Sequence, residues 1–431
     1  MSSITGQHNL PQGWTRKLLS HCAVVQTGVA KGRTLDPDDA ISLPYLRVAN
    51  VQDGFLDLEE IKTIDIRRRE KERYMLQQGD VLLTEGGDFD KLGRGFVWNG
   101  EIPECVHQNH VFAVRLDRSE LDPAFFSYQA QSSYGKAYFL SVAHKTTNLA
   151  CINTSKLKAF PVLIPPLSEQ KKIAHILSSV QRAIEAQERI IQTTTELKRA
   201  LMHKLFTEGL RRELQKQTEI GLVPESWEVM PLSECSVVQT GIAKGRKVNE
   251  EEAVEVPYLR VANVQDGYLD LSEMKTIIIR KNEQQRFALQ DGDVVLTEGG
   301  DFDKLGRGFI WHGQIENCVH QNHVFAVRPD KMQISSEFFA YLSQSPYGKR
   351  YFLSVAHKTT NLACINTTKL KAFPVLLPPQ DQQADIVVAC SSIDGKIRNA
   401  TNKKKLLQDM FRALLHELMT AKTRVHNTEI K

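Results

Sequence analysis

A chain of 431 residues, 41% hydrophobic and 25% charged, is long enough for at least two cores and has an ordinary globular composition. No run of about 18 apolar residues occurs, which excludes a membrane-spanning helix, and MSSITGQHNLPQGWTRK at the amino end has no apolar signal core, so a cytoplasmic location is expected. The formal net charge of +4 permits a nucleic-acid partner without demanding one.

In chain order, the first 166 residues read as one α+β domain. Pro11–Trp14 opens it. Short strand-like runs follow, punctuated by glycine: CAVVQTG, PYLRVANVQDG, GDVLLTEGG, GRGFVW and HVFAVR. A helical stretch is expected near Pro123–Lys136, and Pro165-Pro166 closes the domain. Residues 167–210 then change texture. Ile173, Leu177, Val180, Ile184, Ile191, Leu197, Leu201 and Leu205 recur at helical spacing without proline or glycine until Gly209. The charged segment 211–223 reads as a linker. Residues 224–379 repeat the α+β domain, with a helical stretch near Ser335–Lys349. Residues 380–422 repeat the helix, with a stripe at Ile386, Cys390, Ile393, Ile397, Leu407, Met410 or Phe411, Leu414 and Leu418, and 423–431 form a polar tail. Each helix is about 37 residues, or roughly 55 Å, too long for a domain of this size to cover alone. The expected fold is therefore α+β, with two duplicated α+β domains separated by two long antiparallel helices that form a coiled coil.

The duplication runs without a gap from Trp14, matched by Trp227, to Pro166, matched by Pro379, an offset of 213 (227 − 14). Roughly two thirds of the aligned positions are identical. Polar, glycine-rich stretches return nearly letter for letter, as in DVLLTEGGDFDKLGRGFVW and DVVLTEGGDFDKLGRGFIW, while Arg67–Glu72 and Arg118–Ala124 drift. A duplicated fold needs only its core pattern, so identical polar loops point to one kind of ligand handled twice.

No phosphate loop, dinucleotide fingerprint, HExxH or GxSxG occurs, and no catalytic residue or metal site is assigned. His107 and His110 lack a third ligand at metal spacing and read as a polar cluster at a strand mouth. The seven cysteines show no CxxC pattern and read as reduced thiols. What remains are five loops rich in the side chains that grip phosphates and read base edges. They give candidate DNA-binding residues Gln26, Thr27, Lys31 and Arg33; Arg47 and Asn50; Asp88, Lys91 and Arg94; His107, Gln108 and Asn109; and Lys145, Thr146, Thr147 and Asn148. The second copy supplies Gln239, Thr240, Lys244, Arg246, Arg260, Asn263, Asp301, Lys304, Arg307, His320, Gln321, Asn322, Lys358, Thr359, Thr360 and Asn361. The glycines between them would let backbone approach a sugar–phosphate chain closely.

PYLRVANVQDG, GDVLLTEGG and above all INTSKLKAFPVLIPPLSEQKKIA at Ile152–Ala174, with its copy at Ile365–Val387, resemble the specificity subunits of type I restriction–modification systems. The resemblance covers nearly the whole chain, including the order domain–helix–domain–helix. It implies a sequence-specific DNA-recognition subunit without its own catalytic centre, bound to double-stranded DNA and to two adenine methyltransferase subunits, and in full systems to two ATP-driven restriction subunits. No cofactor is expected on this chain, and S-adenosylmethionine is expected on the methyltransferase partner. The family's two domains normally differ and read an asymmetric bipartite target. Here they are near copies, so an interrupted palindrome is expected, with the helices as its ruler. Two rival classes are a tandem-site enzyme and a tandem-domain adaptor for two protein ligands. The missing catalytic motifs weigh against the first and the polar character of the loops against the second.

Overall fold

The computed structural model describes residues 10–89, 92–211, 213–302, 304–360 and 362–425. They form two compact units, one from the chain up to Glu188 together with Asn402 onward, the other from Arg189–Thr401.

The strands of the first unit are, in chain order, β1 (Thr15–Leu18), β2 (Ala23–Thr27), β3 (Ala40–Leu46), β4 (Lys62–Arg67), β5 (Val81–Thr84), β6 (Gly86–Gly87), β7 (Gly95–Val97), β8 (Val106–His107), β9 (Val111–Leu116), β10 (His144–Lys145), β11 (Ala150–Cys151) and β12 (Pro161–Ile164). An antiparallel sheet has the order β2-β9-β5-β7. β5 lies between two neighbours and is covered on both faces, which is why all four of its residues are buried and its sequence runs VLLT without alternation. A second sheet, β4-β3-β8, joins β3 to β8 in parallel, Tyr45 opposite Val106 and Leu46 opposite His107. β1 pairs with β12 at the base, and β10-β11-β6 make a small sheet.

Where one helical stretch was expected near Pro123–Lys136, there are two helices, Pro123–Gln131 and Ser133–Val142. Ser132 between them is extended, and its hydroxyl caps the second by accepting from the Gly135 N–H. The second unit repeats these sheets in the same register: Val294–Thr297 lies between Val324–Pro329 and Gly308–Ile310, and Leu259 pairs with His320. The segment expected as a plain linker contains a hairpin of its own, Gln215–Thr218 with Gly221–Pro224.

Two long helices follow the domains, Leu167–Glu208 (42 residues) and Gln380–Met419 (40 residues). Each starts where a Pro-Pro pair ends the preceding strand, and Pro166 O accepts from the Glu169 and Gln170 amides. Buried Gln170 fixes the start, donating to Glu120 O and Pro165 O at 2.8 Å and accepting from the Asp122 amide. Gln383 does the same against Gln333, Pro378 and Ser335.

The helix stripes have two destinations. Ile173, Ala174 and Leu177 enter the first unit's core with Trp14, Phe112, Phe126 and Phe160, and Leu418, Met419 and Val425 from the other end of the chain enter the same core. In the second unit, Ile386 and Cys390 share the core with Trp227, Phe338 and Phe373, and so do Met202, Leu205 and Phe206. Each unit thus holds the first half of one long helix and the last half of the other. They run antiparallel: Glu169 meets Arg424 and Glu188 meets Lys404 in the first unit, while Lys198 meets Asp394 and Arg211 meets Asp381 in the second. The expected stripe breaks at one place. Leu197 is 57% exposed, and Lys198 takes the inward position. No helix among the described residues is long and apolar enough to cross a membrane.

Candidate nucleic-acid interface

The fold brings all five candidate segments of each unit into one hydrogen-bonded cluster. At its centre is the segment His107–His110. Its backbone joins the first segment, where the Val29 N–H donates to His107 O at 2.7 Å and Asn109 N–H to Val29 O at 3.0 Å. It joins the second through Gln108 N–H to Leu46 O at 2.9 Å, while the Gln108 side-chain oxygen accepts from Val48 N–H at 3.3 Å. It joins the third through Glu85 N–H to His110 O at 2.9 Å and through the His110–Glu85 side-chain pair. The third in turn carries β6, which pairs with β11, so that the hairpin closed by Thr146 N–H to Leu149 O stands beside the glycine-rich loop. The second unit makes the same bonds through His320, Ile242, Leu259, Gln321, Glu298 and Thr359.

This geometry sorts the candidates. Lys31, Lys145, Thr146, Thr147 and Asn148 are exposed, as are Thr27 and Asp88; their copies Lys244, Lys358, Thr359, Thr360, Thr240 and Asp301 are too. Lys31 Nζ lies 5.9 Å from the Tyr45 ring centre and Lys244 repeats this on Tyr258. Exposed Lys304 pairs with Asp301. Gln26, Gln108 and Asn109 are half-buried, with Gln239, Gln321 and Asn322; the Gln239 amide donates to Arg286 O at 2.5 Å. Arg33 and Arg246 form ion pairs with Glu70 (2.8 Å) and Glu283 (2.6 Å), which hold both carboxyls below their usual range. Arg47 donates to the carbonyl and carboxylate of Glu60, and Arg260 to Glu273 O. These arginines brace their loops. Lys91 and Asn361 lie outside the described residues.

Two pairs cannot meet DNA. Asn50 and Asn263 are 2% and 3% exposed, and each amide is spent inside its own turn, Asn50 Nδ2 on Asp57 O and Glu60 O and Asn263 Nδ2 on Asp270 O and Glu273 O. His107 and His320 are fully buried; Nδ1 bonds Val111 O at 2.7 Å and Val324 O at 2.6 Å, and burial lowers both pKa values to about 4. Their expected role is corrected to a structural one: a neutral imidazole holds the centre of the cluster. Several glycines also serve packing rather than a ligand. A Cβ on Gly28 would lie 1.9 Å from His107 O, and Gly93, at φ +71°, sits against Phe139.

Arg94 is the inner cation of the cluster. Its Nη1 donates to Gln52 Oε1 at 3.0 Å, and its Nε is 4.0 Å from Asp53, which also pairs with Lys136 at 3.3 Å. In the second unit Arg307 Nη1 donates to Gln265 Oε1 at 3.3 Å and Lys349 pairs with Asp266 at 2.7 Å. Gln52 and Arg94, with Val48, Ala49, Val51, Thr84, Gly86 and Gly87, line a cleft of about 200 Å³. Asp53 and Lys136 were missed as candidates. Their signal was available, since Asp266 and Lys349 keep both letters. Also missed were Phe89 and Phe302, each 41% exposed, and Leu149 and Leu362, 53% and 54% exposed, apolar tips on the two adjoining loops.

A cluster that is cationic and amide-rich at its rim, braced by internal ion pairs and repeated in two units, is suited to a polar, extended ligand. Among the described residues there is no group of three or more metal-ligating side chains. The family model for the type I restriction modification DNA specificity domain matches residues 28–195 and 224–408. A type I restriction enzyme MjaVIII specificity subunit from Methanocaldococcus jannaschii is 27% identical over 394 residues, covering 89% of this chain and 87% of that protein. The StySPI specificity subunit from Salmonella potsdam is 23% identical, covering 98% and 92%. In fold, the crystal structure of a type I restriction-modification S subunit from M. genitalium is similar, with a TM-score of 0.53 at 16% identity over 97% of this chain and 99% of that one.

Proposed function

The chain belongs to the type I restriction modification DNA specificity family, and we propose that each of its units reads one half of a bipartite duplex target through the five-segment cluster. It is a DNA-recognition subunit, not the catalytic one. The observation that carries the two-reader proposal is the identity of the clusters: the same residues, in the same hydrogen-bonded frame, occur in both units. Lys31, Lys145 and their copies are placed to neutralise phosphates, while Thr146, Thr147, Asn148 and the Arg94–Gln52 pair offer the donors and acceptors that distinguish bases. Equal clusters read equal half-sites, and the antiparallel helices of each unit support an inverted arrangement, an interrupted palindrome whose gap the long helices set.

Specificity subunits of this family assemble with other subunits. Two methyltransferase subunits, each bringing S-adenosylmethionine, and in restricting complexes two ATP-driven restriction subunits, complete the reading. The test is selection of bound duplexes from a random pool by the chain with its methyltransferase partner. The expected outcome is one interrupted motif, bound with an affinity that falls steeply with salt. Recovery of no motif, or binding that salt does not weaken, contradicts it. An adaptor for two protein ligands would recover no motif.

A further inference from the structure

The two units differ at an internal place where a long helix from elsewhere in the chain meets the recognition domain. In the second unit, Lys198 Nζ is 2.6 Å from Asp394 Oδ1, Tyr341 donates its hydroxyl to Asp394 Oδ2 at 2.8 Å, and Lys198 Nζ lies 5.6 Å from the Tyr341 ring centre. The Lys198 and Asp394 side chains are only 19% and 27% exposed. By the offset of the duplication, the equivalent residues of the first unit are Phe411, Gln181 and Tyr128. There the contact is apolar: Tyr128 and Phe411 meet edge to face, ring centres 6.0 Å apart, with Tyr128 8% exposed. One tyrosine thus faces two different solutions, phenylalanine with glutamine, or lysine with aspartate.

We infer that Lys198, Asp394 and Tyr341 form a pairing key, by which the last half of Leu167–Glu208 selects the first half of Gln380–Met419 and rejects the equivalent helix of a second copy. Were the first half of the chain to pair with itself, Lys198 would face Gln181 and keep only the Tyr128 ring as partner. Were the second half to pair with itself, Phe411 would cover Asp394 and leave a half-buried carboxylate without a cation. Each wrong pairing strands a charge, and a stranded buried charge costs more than the correct pair gains. The key discriminates unequally, because a lysine can still stack on the tyrosine ring, whereas an aspartate gains no attraction from a phenylalanine beside it and keeps only the Tyr341 hydroxyl. Burial and the neighbouring carboxylate push the Tyr341 phenol strongly up, so it remains a donor to Asp394 at every pH the protein meets.

Single substitutions in the full chain reproduce the wrong juxtapositions, so thermal unfolding tests the key directly. Lys198→Phe sets phenylalanine against Asp394, and Tm should fall by roughly 3–8 °C. Asp394→Gln sets lysine against glutamine and should cost less. The double variant Lys198→Phe/Asp394→Gln installs the first unit's solution and should return Tm to within about 2 °C of wild type. In the first unit, Phe411→Lys should destabilise and Gln181→Asp should rescue it. If the double variants lose the sum of their singles, the residues do not act as a unit and the inference is overturned. Should Lys198→Phe not accumulate, the cycle of Lys198→Gln with Asp394→Asn asks the same question with a smaller volume change, and additivity there overturns the inference equally.

Discussion

The loop cluster and the helix contacts descend from the same duplication but have been treated oppositely. In the cluster, bonds match almost atom for atom: the Gln108 N–H donates to Leu46 O at 2.9 Å and the Gln321 N–H to Leu259 O at 2.9 Å, and the Glu85 N–H donates to His110 O at 2.9 Å as the Glu298 N–H does to His323 O at 2.9 Å. At the helix contacts, equivalent positions have parted. Glu169 binds Arg424 at 2.7 Å, whereas its counterpart Gln382 accepts from the Trp227 indole at 3.0 Å. Trp14, the counterpart of Trp227, has no acceptor for its indole N–H among the described residues. Residues of the loop cluster were held fixed, and residues that join the halves became complementary to each other. That is the pattern expected if both halves read the same sequence while the chain assembles in one way.

The largest effect on the clusters should come from acid, acting on both alike. The folded pKa of His107 and of His320, about 4, lies below the unfolded value, so the fold favours the neutral ring. The stability this represents is present above about pH 6.5 and is lost as pH falls from there toward 4, about 3 kcal/mol per histidine. Denaturant titrations across that window should show the slope, and His107→Gln and His320→Gln should each remove about half of it. Next in size, Arg115→Ala or Arg328→Ala leaves a carboxylate that is 1% exposed without its cation. Each should cost about 2–3 kcal/mol, at the low end for a broken buried pair because the arginine itself reaches water. A large difference between the two variants would show that the units are less alike than their bonds.

Binding sharpens the comparison further. Arg94→Ala and Arg307→Ala should each weaken specific DNA binding by about 1–3 kcal/mol if the guanidinium meets a base, and should lower the salt slope by about one if it meets a phosphate. Unchanged binding with lower stability would make both arginines braces for Gln52 and Gln265. The smallest effect belongs to one exposed ion pair between the helices. The Glu188–Lys404 pair at 2.5 Å, 54% and 26% exposed, has Thr401 and Ile191 in its place in the other unit, and Lys404→Ala should change stability by no more than about 0.5 kcal/mol.

Much of this was legible in the sequence. Strict repetition located the five loops, and helical spacing located both long helices, because periodicity and identity survive without knowledge of contacts. The fate of individual polar residues was not legible. Asn50 and His107 carry the letters of base-reading side chains, yet their donors and acceptors close turns and strands within a domain, a use that only tertiary pairing reveals. The glycines misled for the same reason: Gly28 is needed where two backbones cross inside the unit. Lys198 was hidden by Leu197, whose apolar side chain fits the stripe but points outward, while the lysine beside it turns in to meet Asp394.

Sequencing of modified adenines in cells that carry this chain and the proposed methyltransferase partner asks most directly whether two equal clusters read equal half-sites. The expected result is one interrupted motif whose second half is the reverse complement of the first. A motif whose two halves are unrelated would contradict it.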